Sequence, residues 1–144
     1  MNEVESPINI VVVGDSYVGK TCLIFNYAKD EFLTKPVSTV ADEYDLSDIQ
    51  YMGTKVKLSV WDLSGKDEHK SLREFAYGKA DAVFFCFSLA QIALEGQEEG
   101  KIQAGSTNSA TLSLMSIKNK WIPEIRKSSV KILVGTKSDQ LFVG

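Results

Sequence analysis

The chain has few cysteines, one histidine and no long apolar run. These shortages argue against a membrane-spanning protein and against a fold held by disulfides or by a cysteine metal site. No apolar stretch approaches the ~20 residues that cross a bilayer, so we expect no transmembrane helix. Cys22 and Cys86 lie inside apolar or helical patterns and not at metal-ligand spacing, which favours buried free thiols over a disulfide. The single histidine, His69, has charged neighbours and is expected to be exposed. The net charge of -3 and the lack of a basic stripe give no indication of nucleic acid as a partner.

The two ends of the sequence also lack targeting signals. The first residues, MNEVESP, are acidic and polar, with neither an apolar signal peptide nor the glycine that myristoylation needs. The last residues, LFVG, do not form a prenylation signal. We therefore expect a cytoplasmic protein whose sequence carries no membrane anchor of its own. Its 144 residues suit one domain with a real hydrophobic core.

Apolar runs predict an α/β fold. Continuous runs at residues 8–14, 81–89 and 130–136 suit parallel strands that helices cover on both faces. Residues 42–52 and 55–63 flank Gly53 and Thr54 as the strands of a hairpin would. This order predicts three α/β/α layers around a mostly parallel sheet with one antiparallel hairpin strand.

Two segments have helical patterns. GKTCLIFNYAKDEF, residues 19–32, places Leu23, Tyr27 and Ile24 on one face. LSLMSIKNKWIPEIRK, residues 112–127, repeats apolar residues at helical spacing at Ile117, Trp121 and Ile125, although Pro123 should kink or shorten the helix. Residues from about 90 to 116, which overlap the start of the second pattern, show little periodicity. We interpret this stretch as an irregular, mobile surface insertion within a single domain of residues 1–144.

A phosphate-binding motif lies where the first strand ends and the first helix begins. Gly14, Gly19, Lys20 and Thr21 satisfy the spacing G-x-x-x-x-G-K-[ST] of a P-loop. Glycines let the backbone approach an anion, and the N–H groups at the helix N-terminus favour negative charge. Lys20 would reach the β- and γ-phosphates, and the Thr21 hydroxyl would bind Mg²⁺. The predicted nucleotide-binding residues of this loop are Gly14, Asp15, Ser16, Val18, Gly19, Lys20, Thr21 and Cys22.

Two further motifs follow at strand ends. In WDLSG, Asp62 could hold Mg²⁺ through water and Gly65 could donate its N–H to a γ-phosphate. In GTKSD, Asp139 could accept two hydrogen bonds from the N1–H and 2-amino groups of guanine, and Thr136 and Lys137 belong to the same predicted site. An ATP-handling P-loop kinase is the alternative interpretation, and Asp139 is the residue that discriminates between the two bases.

Together these motifs resemble those of the small GTPases of the Ras superfamily, particularly the Rho/Rac branch. The resemblance rests on VVVGDSYVGKTCL, WDLSG, CFSL, KWIPEI and ILVGTKSD, and it covers residues 8–89 and about 117–141. It implies a P-loop NTPase fold and a GTP/GDP-binding switch in Rho-type, cytoskeletal signalling that hydrolyses GTP to GDP and phosphate. Exchange factors, activating proteins and effectors would bind through two switch segments.

The resemblance also implies roles for particular residues. Phe32 would pack against the base, and Thr39 would be the switch I threonine that binds Mg²⁺ when GTP is present. Residues 62–81 would form switch II. The implied metal ligands are Thr21, Thr39 and Asp62, and the implied catalytic residues are Lys20, Thr39, Gly65 and Lys66.

Departures from the family pattern predict slow hydrolysis. Lys66 stands where the family usually has the glutamine that orients the attacking water, and a lysine cannot accept a hydrogen bond from that water. Ser16 replaces a common glycine of the P-loop, and Ser64 replaces the usual alanine, as in the Rnd proteins. Switch I differs at Pro36, Ser38 and Ala41, so effectors shared with Rac are not expected.

The sequence stops at Gly144, before the last strand and helix that the family usually has. We therefore expect an incomplete domain in which residues 130–136 form a bare, apolar sheet edge. Two alternatives to a working enzyme stay open. One is a GTPase-deficient binding module, and the other is a structurally compromised truncated isoform with little nucleotide affinity.

Overall fold

The computed structural model describes residues 6–31, 39–90, 109–125 and 129–138. Five strands and several helical segments alternate along these ranges. In chain order they are β1 (Ile8–Val13), α1 (Lys20–Lys29), β2 (Ala41–Tyr51), β3 (Thr54–Leu63), a 3₁₀ turn (Asp67–His69), α2 (Lys70–Tyr77), β4 (Ala82–Ser88), α3 (Ser109–Ser116), a π-helical turn (Ile117–Trp121), α4 (Ile122–Glu124) and β5 (Val130–Thr136). None of the described helices is long and apolar enough to cross a membrane.

The strands form one mixed sheet in the order β2-β3-β1-β4-β5. β2 pairs antiparallel with β3, and the other three pairs are parallel. The hairpin turn is Met52–Gly53, one residue before the predicted turn, and both residues have the positive φ that a two-residue hairpin turn favours. The predicted fold class, a mostly parallel sheet with one antiparallel hairpin strand, is confirmed.

Helices pack on both faces of the sheet because β1 is buried on both sides. Val11 and Val13 pack into a cluster with Trp121 from the π-helical turn, whereas Val12 packs on the opposite side with Ile24 of α1. Alternate residues of a strand point to opposite faces, so this division follows from the continuous apolar run of β1. The phosphate-binding motif therefore begins at the end of a strand that is packed on both faces.

The structure corrects two details of α1. The helix ends at Lys29, and Asp30 adopts a left-handed conformation with φ of 54°, so α1 is shorter than the predicted 19–32. Ile24 is buried, but Leu23 and Tyr27 are exposed, with relative accessibilities of 42% and 66%. The sheet-facing residue is set by packing against Val12 and not by the i, i+4 apolar pair.

Part of the predicted irregular insertion is helical. α3 covers Ser109–Ser116, so the prediction of irregular structure is wrong for these eight residues, whereas the helical pattern predicted from residue 112 is confirmed for 112–116. The buried Ser113 hydroxyl accepts a hydrogen bond from the Ser88 N–H at 3.0 Å, which anchors α3 to the end of β4. Residues 91–108 lie outside the described ranges, and the insertion as a whole stays a prediction.

The second predicted helix contains a π turn. Ile117 and Trp121 are buried and Ile125 packs against the same cluster, as their spacing predicted. The π-helical turn directly precedes Ile122, and the helix ends at Glu124, just after Pro123. Because proline lacks an N–H and crowds the preceding turn, this irregular, early ending agrees with the predicted shortening.

β5 lies at the edge of the sheet among the described residues. Val130, Ile132 and Leu133 are exposed there, with relative accessibilities of 61%, 41% and 57%. The predicted apolar edge is thus present in this part of the chain. Cys86 is buried and Cys22 is half-buried, and both are free thiols, so the prediction of burial is correct only for Cys86.

Candidate functional site

The phosphate loop joins β1 to α1, and its two glycines are required for different reasons. A Cβ on Gly14 would lie 2.3 Å from the carbonyl oxygen of Cys86, so no side chain fits there. Gly19 caps α1 with φ of 98°, a conformation that residues with a side chain rarely adopt. The motif spacing therefore places a close backbone approach and a helix N-terminus on one loop.

Lys20 lies folded across this loop. Its Nζ donates to the carbonyl oxygens of Gly14 at 3.0 Å and Asp15 at 2.8 Å, and the residue is buried. Burial lowers the pKa of Lys20, and the nearby charge of Asp62 partly offsets that effect. The ammonium group is thus held against the backbone of the phosphate loop.

Three oxygen-bearing side chains converge beside Lys20. Thr21 Oγ1 donates to Asp62 Oδ2 at 2.5 Å, and Thr39 Oγ1 lies 2.9 Å from Thr21 Oγ1. Because Thr21 gives its proton to Asp62, Thr39 is the donor of the second bond. These residues come from α1, from the chain before β2 and from β3, so the fold assembles a set that is far apart in sequence.

Asp62 has an unused oxygen. Its Oδ1 is buried and has no hydrogen-bond partner. Burial raises the pKa of Asp62, although the Thr21 hydrogen bond and the Lys20 charge oppose the rise. An orphaned buried carboxylate oxygen is costly unless it gains a partner. A hydrated hard cation would supply one through a bound water.

The chemistry of this set fits Mg²⁺. Within the described ranges no three His, Cys, Asp or Glu side chains come together as a metal site. Mg²⁺ does not need such a cage, because it commonly takes one or two protein oxygens and completes its shell with water and phosphate. Thr21, Thr39 and Asp62 offer two hydroxyls and one carboxylate next to the phosphate loop.

The segment after β3 lies against the phosphate loop. A Cβ on Gly65 would lie 2.6 Å from the Gly14 carbonyl oxygen and 3.0 Å from the Ser16 nitrogen. The neighbouring Lys66 side chain is exposed. The structure therefore brings Gly65 and Ser16, which are both predicted site residues, into direct backbone proximity.

Ser64 and His69 form a pair that the sequence did not indicate. His69 Nδ1 lies 2.8 Å from the buried Ser64 Oγ, which also accepts the Lys66 N–H at 3.1 Å. The His69 side chain is 21% exposed, so the prediction of an exposed histidine is wrong. The charged neighbours of His69 gave no signal of this contact, because its partner lies five residues earlier across the 3₁₀ turn.

The predicted base loop also meets the phosphate loop. The Thr136 hydroxyl contacts the carbonyl oxygen of Val18, and Lys137 Nζ donates to the carbonyl oxygen of Tyr17 at 2.8 Å. Thr136 Oγ1 would lie 3.6 Å from a Cβ on Gly19. Phe32 and Asp139 lie outside the described residues, so their predicted contacts with a base stay predictions.

A buried polar cluster behind Gly65 was missed by the sequence analysis. We call Arg73, Tyr77, Lys120, Trp121 and Glu124 the Arg73 cluster. Arg73 is 1% exposed and forms a two-pronged ion pair with Glu124, Nε–Oε1 at 2.7 Å and Nη2–Oε2 at 3.2 Å. The Tyr77 hydroxyl donates to Glu124 Oε1 at 2.8 Å. The one signal for this cluster was the stretch KWIPEI, which carries three of its members.

The Arg73 cluster touches both loops of the site. Lys120 Nζ donates to the Gly65 carbonyl oxygen at 3.2 Å and pairs with Asp67 at 2.8 Å. The Trp121 indole N–H donates to Asp15 Oδ1 at 3.0 Å. The π-helical turn thus contacts the phosphate loop on one side and the segment after β3 on the other.

Comparison with known proteins identifies the family. Residues 9–94, more than half of the chain, match the sequence model described as the Ras family. The chain is 34% identical over 133 residues to the "Rho-related GTP-binding protein RhoB" of Homo sapiens, and equally to the proteins of that name in Mus musculus and Rattus norvegicus. Each alignment covers 90% of this chain and 58% of the relative, so the chain spans less than two thirds of the relatives' length. The family match and the strand-to-helix phosphate loop together show that the chain belongs to the Ras family of small GTPases and is similar to its Rho members.

Proposed function

We propose that this chain binds GTP and GDP with Mg²⁺ and acts as a Rho-type guanine-nucleotide switch. The observation that carries the proposal is the orphaned, buried Oδ1 of Asp62 beside two threonine hydroxyls and Lys20. Family membership and the name of the relatives, GTP-binding proteins, agree with this chemistry.

Each group has a role in the proposed complex. The backbone N–H groups of the phosphate loop bind the phosphates, and Lys20 turns from the Gly14 and Asp15 carbonyls to the β- and γ-phosphates. Thr21 and Thr39 would hold Mg²⁺ through their hydroxyls, and Asp62 would hold it through a bound water. When bound, Mg²⁺ supplies neutralisation of the phosphate charge.

The preference for guanine rests on Asp139 and on the position of its loop. Thr136 and Lys137 contact the phosphate loop, which supports a part for their loop in nucleotide binding. Asp139→Asn removes one carboxylate oxygen that would accept from guanine. We expect this change to weaken GDP binding and to leave ATP binding unchanged, which distinguishes a guanine site from that of an ATP-handling kinase.

We also propose that hydrolysis is slow. Lys66 is exposed and offers no acceptor to an attacking water. Its charge can bind a γ-phosphate in the ground state, which adds affinity without adding rate. Ser16 adds a side chain that would crowd the place of a catalytic glutamine or of an arginine from an activating protein. In this proposal the protein is cytoplasmic and stays GTP-loaded, and it acts on effectors and regulators through residues 62–81 and the chain around Thr39.

Binding of a fluorescent guanine nucleotide to the full 144-residue chain tests the proposal. Lys20→Ala should abolish binding, whereas Lys29→Ala, an exposed lysine at the other end of α1, should not change it. Bound GTP that is cleaved in a single turnover at the rate of ordinary Rho-type proteins would contradict slow hydrolysis. Failure of the wild-type chain to bind any nucleotide would favour the structurally compromised alternative.

A further inference from the structure

Three consecutive backbone carbonyls after β3 are held by cations of the Arg73 cluster. Arg73 Nη1 donates to the carbonyl oxygens of Ser64 at 2.9 Å and Lys66 at 2.6 Å. Lys120 Nζ donates to the carbonyl oxygen between them, that of Gly65, at 3.2 Å. All three peptide groups are thus held by side chains of one cluster.

A hydrogen bond to the Ser64 carbonyl also fixes the direction of the Gly65 N–H, because the two groups belong to one peptide unit. In a trans peptide the carbonyl of one residue and the N–H of the next lie in one plane and point in opposite directions. The hydrogen bond from Arg73 to the Ser64 carbonyl therefore directs the Gly65 N–H away from the guanidinium. Gly65 itself lies against the phosphate loop, with a Cβ position 2.6 Å from the Gly14 carbonyl oxygen.

Arg73 can orient this peptide because its own position is over-determined. Its Nε and Nη2 both donate to the Glu124 carboxylate, and the Tyr77 hydroxyl donates to the same carboxylate. The centroid of the Trp121 ring lies 4.9 Å from the guanidinium carbon. Arg73 and Glu124 side chains are 1% and 6% exposed. A planar guanidinium in this pocket presents its remaining N–H groups in a fixed direction, which a lysine ammonium cannot do.

We propose that Arg73 is a positioning residue, aimed by Glu124, that sets the Gly65 N–H for the γ-phosphate and so raises the affinity of the site for GTP relative to GDP. The inference rests on the proposed function, because it needs a nucleotide in the phosphate loop. It differs from a structural role in that GDP, which has no γ-phosphate, does not sense the position of the Gly65 N–H.

The test compares affinities of the full chain for Mg²⁺·GDP and for a non-hydrolysable Mg²⁺·GTP analogue. Arg73→Lys keeps the positive charge but loses the planar guanidinium that makes the two-pronged pair. Glu124→Gln keeps the side-chain shape but removes the negative charge that holds Arg73 in place. We expect both changes to lower the ratio of GTP-analogue to GDP affinity by about tenfold, the size of one charge-assisted hydrogen bond. Tyr77→Phe leaves the two-pronged pair in place and should lower the ratio by less than about threefold.

Glu74→Gln is the matched control. Glu74 follows Arg73 on α2, but its side chain is exposed and makes a long ion pair of 3.9 Å with Lys70. It should leave the ratio unchanged. Equal loss of affinity for both nucleotides, in parallel with a lower melting temperature, would overturn the inference and leave Arg73 a structural residue. An unchanged ratio in Arg73→Lys and Glu124→Gln would also overturn it. A wild-type chain that binds neither nucleotide would instead refute the proposed function, and the inference with it.

Discussion

Adding one methyl group to Gly65 tests how closely the segment after β3 packs against the phosphate loop. In Gly65→Ala the new Cβ would lie 2.6 Å from the Gly14 carbonyl oxygen, 3.0 Å from the Ser16 nitrogen and 3.2 Å from the Asp15 carbonyl carbon. All three are backbone atoms, which cannot rotate aside as the end of a flexible side chain can. One of the two loops must therefore move.

The cost follows from what holds the two loops. The carbonyl oxygens on either side of Gly65 are bound to Arg73, and its own carbonyl oxygen is bound to Lys120. A shift of several tenths of an ångström would strain these bonds or the turn at Gly14. We expect Gly65→Ala to lower the free energy of unfolding by about 2 kcal/mol, within the usual range for overpacking of 1–3 kcal/mol.

Gly78→Ala is the control for the loss of a glycine. Gly78 has φ of -60°, and its Cβ would lie 3.4 Å from the Phe75 carbonyl oxygen, an ordinary contact. This change should be neutral or stabilise the fold by about 0.4–1 kcal/mol, because alanine restricts the unfolded chain. Urea denaturation without nucleotide measures both variants. Equal stability of Gly65→Ala and wild type would refute the close packing of the two loops.

Three further predictions concern hydrolysis, metal binding and the buried ion pair. Lys66→Gln introduces a side chain whose amide oxygen can accept a hydrogen bond from the attacking water and orient it, so it should raise the single-turnover rate of GTP hydrolysis by about tenfold or more. An unchanged rate would mean that Lys66 is not the cause of slow turnover. Burial raises the pKa of Asp62, and Asp62 helps to bind Mg²⁺ only in its ionised form, so the slowing of GDP release by Mg²⁺ should strengthen as pH rises through that raised pKa. In Asp62→Asn the effect of Mg²⁺ on GDP release should no longer change with pH in this range. Burial opposes ionisation of Glu124, but hydrogen bonds from Arg73 and Tyr77 outweigh it and lower the pKa of Glu124, so its contribution to stability is present above the unfolded pKa of about 4.3 and is lost as pH falls through the lowered folded pKa. Glu124→Gln should cost about 3 kcal/mol at pH 7, and denaturation in acid should show the gap to wild type closing.

The sequence predicted the phosphate loop because all its determinants are local. Gly14, Gly19, Lys20 and Thr21 have fixed spacing, and the apolar run before them predicts a strand without any knowledge of the rest of the fold. The sheet followed in the same way from continuous apolar runs. Such features depend on residues that are neighbours in the chain, so one sequence is sufficient to find them.

The wrong predictions concern features that are determined by packing between residues far apart in the sequence. Arg73 gives no local sign of burial, because its partner Glu124 lies 51 positions away. The buried face of α1 depends on Val12 in the adjacent strand, and the apolar pair Leu23 and Tyr27 indicated the wrong face. α3 is rich in serine, which has a modest helix propensity, and contacts with the end of β4 stabilise it in spite of that composition.

A crystal structure of the full chain with Mg²⁺ and a non-hydrolysable GTP analogue is the most direct test of the central claim. We expect phosphates in the loop from Gly14 to Thr21 and Lys20 turned toward them. Mg²⁺ should be bound to the hydroxyls of Thr21 and Thr39, and to Asp62 through a water. Nucleotide absent from this loop at saturating concentration, or Mg²⁺ bound away from Thr21 and Asp62, would contradict it.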